Sequence, residues 1–371
     1  MSNSLVEHFS TLKDPRMVKK CDHKLIDILV IVVCATICRW DESWEQVADF
    51  AVERESWLRK FLELPAGIPS HDTLRRVFLL LDPNELQSCF LGWASCFRTK
   101  ISGETIAIDG KTVRGSRDKS SNKRPIHVVS AWANENQLVL GQVKVDEKSN
   151  EITAIPELLN LLDIAGCTIT IDAMGTQKKI VEVISDKNAD YVLGLKSNQK
   201  ALHDDVKTYI DDQLDIALTD DSHSEKKTAD ADHGRIEERS FHLFTDISWI
   251  EKKDSWKNFN AIGVVQARIE RDGGVSTDRR YYITSLKDVD NFAKHVRGHW
   301  GVENSLHWTL DVAFNEDKCT RRKGNAPANS NVLKHMVLNL LKREKTKKIA
   351  INRKRAMAGW RNDYLEKIVF G

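Results

Sequence analysis

Two segments of nearly the same sequence, TIAID at 105–109 and TITID at 168–172, constrain this chain more than any other stretch. Each alternates around isoleucines, so each reads as a short strand, and each ends on an acid. Side chains on a strand point alternately to opposite faces, so Ile106 and Ile108 share one face while Ala107 and Asp109 share the other. Ile169 and Ile171 oppose Thr170 and Asp172 in the same way, and the two aspartates occupy equivalent settings. Between them lie a hairpin at 126–133 and 138–145, with a polar turn at 134–137, and a helix at about 151–162. After Asp172 come a helix near 177–185 and a buried strand at 191–195. Strand, hairpin, helix, strand, helix, strand is the order of a mixed α/β fold, a mixed sheet with helices packed on it.

A third acid stands out in RGHWGVENSLHWTLDV at 297–312. Phe292, Val296, Trp300, Leu306 and Leu310 recur at helical spacing, and Glu303 falls on the same stripe. An unpaired carboxylate on a buried stripe is costly and calls for a cation, a donor or a metal. The alternative is a partly exposed Glu303 bonded to His299 or His307 one turn away. Gly298 and Gly301 weaken this helix by roughly 1 kcal/mol each against alanine. Trp132 is expected in the core, and Trp300 and Trp308 either pack there, which is preferred, or stack on an unpaired base.

Residues 1–100 read as a self-contained helical region. The apolar run 28–38 is too short to span a bilayer, which takes about 20 residues, and reads as a buried helix. Ser70 caps a helix that carries Leu74, Val77, Phe78 and Leu81 inward and Arg75 and Arg76 outward. With the helix at 43–52 it resembles a helix-turn-helix, which makes Arg75 and Arg76 candidate DNA contacts. Residues 197–286 break the strand and helix order. An acidic stretch at 201–238, expected helical or loose, precedes strands at 240–245, 261–270 and 280–284 and turn chemistry at Asp272-Gly273-Gly274. A further apolar helix is expected at 333–341, then a basic tail at 346–371 with Trp360 and Phe370 as packing anchors. The chain's net charge is only +2, yet residues 318–355 hold thirteen Lys or Arg against the single acid Glu344. Such a block suits a phosphate backbone. Seven cysteines without CxxC pairing, and no signal peptide, point to a reducing, cytoplasmic setting and no membrane partner.

Three carboxylates brought together repel one another and are tolerable around divalent cations. Such ions stabilise the attacking and leaving oxygens of a phosphoryl displacement, with water or a 3′-hydroxyl as nucleophile. Asp109 is followed by GKTVRGS, whose Lys111 and Arg114 suit a phosphate backbone, and Asp172 by the small-residue turn AMGTQ. Lys196, Asn198 and Gln199 follow the strand at 191–195 and either contact DNA or cap the strand end.

The segments IAIDGKTVRGS, ITIDAMGTQ, YVLGLKSNQ, DHGRIEER and RGHWGVENSLHWTLDVAFNED, with LKDPR and GIPSHDTLRRVF before them, closely resemble DDE transposases of the ISAs1 insertion-sequence family, the H-repeat-associated type within the IS4-like group. The resemblance spans nearly the whole chain. It implies an RNase H-like core at 101–196 and 287–345, a β-rich insertion at 197–286 and an all-helical, DNA-binding N-terminal domain at 1–100. It also implies a catalytic, metal-binding triad of Asp109, Asp172 and Glu303, with two Mg²⁺ ions that Mn²⁺ can replace. The implied partners are double-stranded DNA, as terminal inverted repeats and target, and further copies of this chain. In the wider group the glutamate helix follows a Y-R-E-K pattern. Here Val296, His299 and Leu310 stand at its Tyr, Arg and Lys positions, so Arg297, His299, Asn304 and His307 are the candidate replacements. Arg321, Arg322 and Lys323 are candidate backbone contacts. The rival readings are a metal nuclease that cuts without joining and a decayed, DNA-binding relic of a mobile element.

Overall fold

The computed structural model describes residues 5–17, 21–145, 149–215, 222–232, 235–271 and 274–371. His233 and Gly234 of the DHGRIEER motif, and Asp272 and Gly273 of the expected turn, lie outside them. Strands β1 (Thr105–Thr112), β2 (His127–Ala133) and β3 (Leu138–Val145) form an antiparallel meander. Strand β4 (Thr168–Ile171) runs parallel to β1, and β5 (Asp190–Leu195) parallel to β4. The parallel strands are buried on both faces because helices cover both, which favours their β-branched residues. Ile106, Ile108, Ile169 and Ile171 enter one core with the helices Glu151–Leu161 and Lys178–Asp186. Ala107 enters the opposite core. The alternation read from the sequence thus separates two layers.

The insertion extends this same sheet. Strands β6 (His223–Asp232), β7 (Arg235–Phe244), β8 (Ala261–Arg271) and β9 (Gly274–Thr284) are antiparallel, and β9 pairs with β5. Among the described residues this gives one nine-stranded sheet in the order β3-β2-β1-β4-β5-β9-β8-β7-β6. The acidic stretch is the helix Lys200–Asp215 followed by β6. None of residues 222–231 is buried, so β6 carries no apolar alternation by which to recognise it.

The N-terminal helices are not self-contained. Leu25–Ile37, Trp44–Glu53, His71–Leu80 and Pro83–Ser95 share one core with Val302, Leu306, Leu310 and the helix Ala326–Arg343. That last helix is longer than its apolar run predicts and is buried from Ala326 to Leu341. Its polar side chains bond outward: Asn329 donates to the Phe78 and Leu81 carbonyls, and Asn339 pairs with both backbone groups of Val139. Ser70 caps its helix as expected, and Leu74, Val77, Phe78 and Leu81 are buried.

The basic tail is folded. Residues 351–370 form the helices Ile351–Trp360 and Asn362–Phe370, which bury Ala358, Leu365 and Ile368 in the same core. Arg355 is buried, donates to Thr36 O at 2.6 Å and pairs with Asp41 at 3.3 Å. Lys354 donates to Leu341 O at 2.8 Å. Phe370 stacks on Phe61, whereas Trp360 is 80% exposed and anchors nothing. No helix among the described residues is long and apolar enough to cross a membrane.

One buried network joins β1 to this core. Lys111 pairs with Asp311 and, at 3.0 Å, with the fully buried Glu316, which also accepts from Asn331. Burial raises the Glu316 carboxyl, but Lys334 and Lys111 pull harder and hold it below its ordinary value. The expectation that Lys111 reaches DNA is therefore corrected, since its ammonium is spent inside the fold. Beside this network, burial pushes His335 down to about 3.

Three outcomes follow. Truncation after Lys345 should abolish the cooperative unfolding transition, whereas a solvated tail could be removed without changing Tm. Lys111→Ala should cost about 3–5 kcal/mol in urea unfolding, because it strips a buried carboxylate of a partner; unchanged stability would mean Lys111 is a surface contact. Because unfolded His335 takes a proton near 6.5 and folded His335 resists it to about 3, its contribution is full above pH 6.5 and is lost as pH falls through that window. His335→Gln should flatten the acid limb of the stability curve, and an unaltered limb contradicts the assignment.

Candidate active site

The register places the first two acids side by side. Ile108 pairs with Ile171 across the parallel β1–β4 ladder, so Asp109 and Asp172 follow at matched positions on adjacent strands, where neighbouring chains lie about 4.8 Å apart. Asp172 leaves the strand and caps a short 3₁₀ turn, accepting from the Met174 and Gly175 amides. Asp109 accepts from the Gly110 amide at 2.8 Å and faces His307 Nδ1 at 3.4 Å. The pair is electrostatically unequal. Burial raises both carboxyls, but His307 and the Gly110 amide bring Asp109 below its ordinary value. Asp172, with Asp109 and Glu151 nearby, stays above its own.

The third acid arrives on a helix laid across the same face. It runs Val289–Gly301, Val302–His307 and Trp308–Phe314 without a break, and the middle segment is π-helical. Thr105, Asp109 and Thr170 share the parity that points at this helix. Thr105 Oγ1 lies 2.8 Å from His295 Nδ1, Thr170 Oγ1 lies 3.0 Å from His299 Nδ1, and Asp109 faces His307. A Cβ on Gly298 would sit 2.8 Å from Thr105 Oγ1, and one on Gly301 would strike Asn134. The two glycines that weaken the helix are what let it approach the sheet.

Glu303 is not on the buried stripe: of the two placements the sequence left open, it takes the exposed one. The wide π turn rotates the faces, so Val302 and Leu306 point inward and Glu303 is exposed. Trp300 is 41% and Trp308 61% exposed, against the core placement expected of them, while Trp132 is fully buried. Neither His299 nor His307 bonds to Glu303; their partners are Thr170 and Asp109. All three acids act on His299 all the same. Burial lowers its basicity, against the opposing pull of Asp109, Glu303 and Asp172.

Glu303, Asp172, His299 and Trp300 line a cleft of about 870 Å³. Lys196 and insertion residues Lys207, Arg279, Arg280 and Tyr281 line the same cleft. The insertion therefore supplies cations to the cleft that holds two of the acids. Arg279 is tied to Asp211 at 2.5 Å, and Arg280 lies over the Trp300 ring at 5.6 Å. Beyond Trp300 a second cleft of about 600 Å³ holds Arg239, Arg297 and Asn304; Arg297 pairs with Asp230 at 3.1 Å.

The other candidate contacts divide. Arg75, paired with Asp72, and Arg76 are exposed on their helix, and Arg114, Arg322 and Lys323 are exposed beside the site. Asn198 donates to Ala173 O at 2.5 Å and Gln199 to Thr176 O at 2.9 Å, so both hold the turn after Asp172. Arg321 is corrected: it is buried over the Trp44 ring at 4.0 Å and bonded to Ser330 and to Asp41 O. The sequence reading missed Glu151, which begins a helix, pairs with His127 at 2.5 Å, crowds Gly110 and contributes to the raised Asp172. Only the fold brings it there.

Among the described residues no group of three or more His, Cys, Asp or Glu side chains is arranged to hold a metal ion. The donor chemistry nevertheless fits a hard divalent cation. Carboxylate oxygens are what such ions take, and the Asp109–Asp172 repulsion is what one relieves.

Residues 101–340 match the model of the transposase DDE domain, and residues 6–94 match that of the DDE_Tnp_1-associated region. The chain is 42% identical to "Putative transposase YncI" of Escherichia coli O157:H7, over 99% of this chain and 94% of that one. It is 38% identical to "H repeat-associated putative transposase YhhI" of Escherichia coli strain K12, over 99% and 98%. It is 43% identical to a protein encoded beside dhlA in Xanthobacter autotrophicus, over 75% and 92%. The family carries an RNase H-like core, here strands β1 to β5 with their helices. On both counts, a domain model covering most of the chain and relatives matched end to end, the chain belongs to the DDE transposase family.

Proposed function

We propose that this protein cleaves DNA at the ends of an insertion sequence of the ISAs1 type and joins the freed 3′-hydroxyl to target DNA, with Asp109, Asp172 and Glu303 as its catalytic acids. What supports the reading is that Asp109 and Asp172 end adjacent parallel strands and that the charges of these two acids and of Glu303 all act on His299, on the helix packed across those strands. Mg²⁺, or Mn²⁺ in its place, would be held by the three acids and supplies charge stabilisation of the attacking and leaving oxygens when bound.

The remaining work belongs to the chain. His307 and the Gly110 amide keep Asp109 ionised, and the Met174 and Gly175 amides fix the direction of the Asp172 carboxylate. Exposure on the π turn leaves Glu303 free to move toward the aspartates when DNA enters. Lys196, Lys207 and Arg280 offer positive charge to the phosphates of a strand lying in the cleft. Activated water serves as nucleophile for cleavage and the DNA 3′-hydroxyl for joining. Holding two terminal inverted repeats and a target at once calls for more than one copy of this chain.

Asp109→Asn and Glu303→Gln should each reduce Mg²⁺-dependent cleavage of end-containing DNA to background while leaving end binding intact. Unchanged cleavage by either variant removes that residue from the triad. Precleaved ends incubated with a plasmid and Mg²⁺ should yield joined products; hydrolysis alone would identify a nuclease without strand transfer.

A further inference from the structure

Two loops leave the acid-bearing elements and close on each other. The first, 113–125, continues from β1; the second, 315–325, continues from the helix that bears Glu303. Together they hold nine Lys or Arg against three acids, in a chain whose net charge is +2. Eight of the nine cations are exposed: Arg114, Arg117, Lys119, Lys123 and Arg124 on the first loop, and Lys318, Arg322 and Lys323 on the second. Of the acids, Glu316 is buried with Lys111, and Asp118 is buried within its own loop.

The loops are clasped together. Arg322 Nε donates to Gly115 O at 3.2 Å, the Arg114 amide donates to Asp317 at 3.0 Å, and Lys323 pairs with Asp118 at 2.9 Å. Gly115 lies against the backbone of the second loop, where a Cβ would come within 2.7 Å of the Asp317 and Cys319 carbonyl oxygens. The tip of the first loop is closed by the Asp118–Lys123 backbone bridge, with Ser120 and Ser121 bonded to the Asp118 carboxylate. Like charges held this close repel, and a folded chain gains nothing from fixing them on a solvated surface. An array of phosphates neutralises them and releases its own counterions.

We propose that these paired loops form a single, preformed surface for the backbone of duplex DNA flanking the site of cleavage, separate from the cleft that receives the reacting strand. The inference rests on the DNA-cleaving reading and adds to it where the duplex lies. Fixing the loops in advance lowers the ordering cost of binding, and their origin on the Asp109 strand and the Glu303 helix ties the position of the duplex to that of the acids. The contacts are to phosphates and carry no base recognition.

The test uses the full chain and a short duplex of arbitrary sequence, with binding measured across a salt series. In one variant Arg117, Lys119, Lys123 and Arg124, whose side chains take no part in the clasp, are each changed to Gln. In a control variant the exposed Lys60, Lys252, Lys287 and Lys367 are changed likewise. The loop variant should retain the wild-type Tm and lose about 0.9 from the slope of log K against log salt for each phosphate contact removed, so about two to four in all. The control should keep the wild-type slope. An unchanged slope in the loop variant, or an equal loss in the control, overturns the proposal while leaving the DNA-cleaving reading in place. Failure of the wild-type protein to bind any duplex overturns both.

Discussion

The site depends on how closely one helix can lie on one face of a sheet. Thr105, Asp109 and Thr170 project from β1 and β4 toward it, and His295, His299 and His307 meet them. Side chains of this length fix the helix only if its backbone comes near, and Gly298 against Thr105 allows that approach. The π segment does the rest. By widening the turn from Val302 to His307, it lets the apolar residues on either side stay inward while Glu303 faces the cleft. An undistorted helix would bury the acid or expose the leucines.

A second layer of charge holds this arrangement. Lys111, two residues beyond Asp109, reaches back into the protein to Asp311 and Glu316 on the segment that follows Glu303. The strand of one acid and the helix of another are thereby pinned by a cation whose partner Glu316 is fully buried, where water screens weakly. Buried pairs of this kind add little net stability compared with apolar packing, but they punish misplacement severely, which is the property a site of converging carboxylates requires. Arg355 plays a similar part between the N-terminal helices and the end of the Glu303 helix. The helical N-terminus, the acid-bearing helix and the C-terminal helices consequently share one core.

What could be read from the sequence followed the range of the forces involved. The twin strands were legible because period-two alternation is local, and it also assigned Asp109 and Asp172 to one face. Glu303 was legible as an acid on an apolar stripe, but the sequence left burial and partial exposure both open, because a π turn breaks the 3.6-residue period on which the reading relied. Strand β6 carried no alternation, since none of its described side chains is buried. Lys111 and Arg321 resembled DNA contacts because a sequence shows charge and not its partner; Glu316 and the Trp44 ring claim them through contacts more than two hundred residues away in the chain. The 346–371 segment showed only as a basic tail for the same reason, and Glu151 could not be linked to Asp172 without the sheet between them.

The central claim is that Asp109, Asp172 and Glu303 act as one cation-binding site. An anomalous-scattering map from crystals of the protein with bound DNA and Mn²⁺ tests it most directly. The account predicts Mn²⁺ within about 2.0–2.5 Å of carboxylate oxygens from all three residues, the range for hard cations on oxygen ligands. Mn²⁺ bound elsewhere, or held by the aspartates with Glu303 turned away, would contradict it.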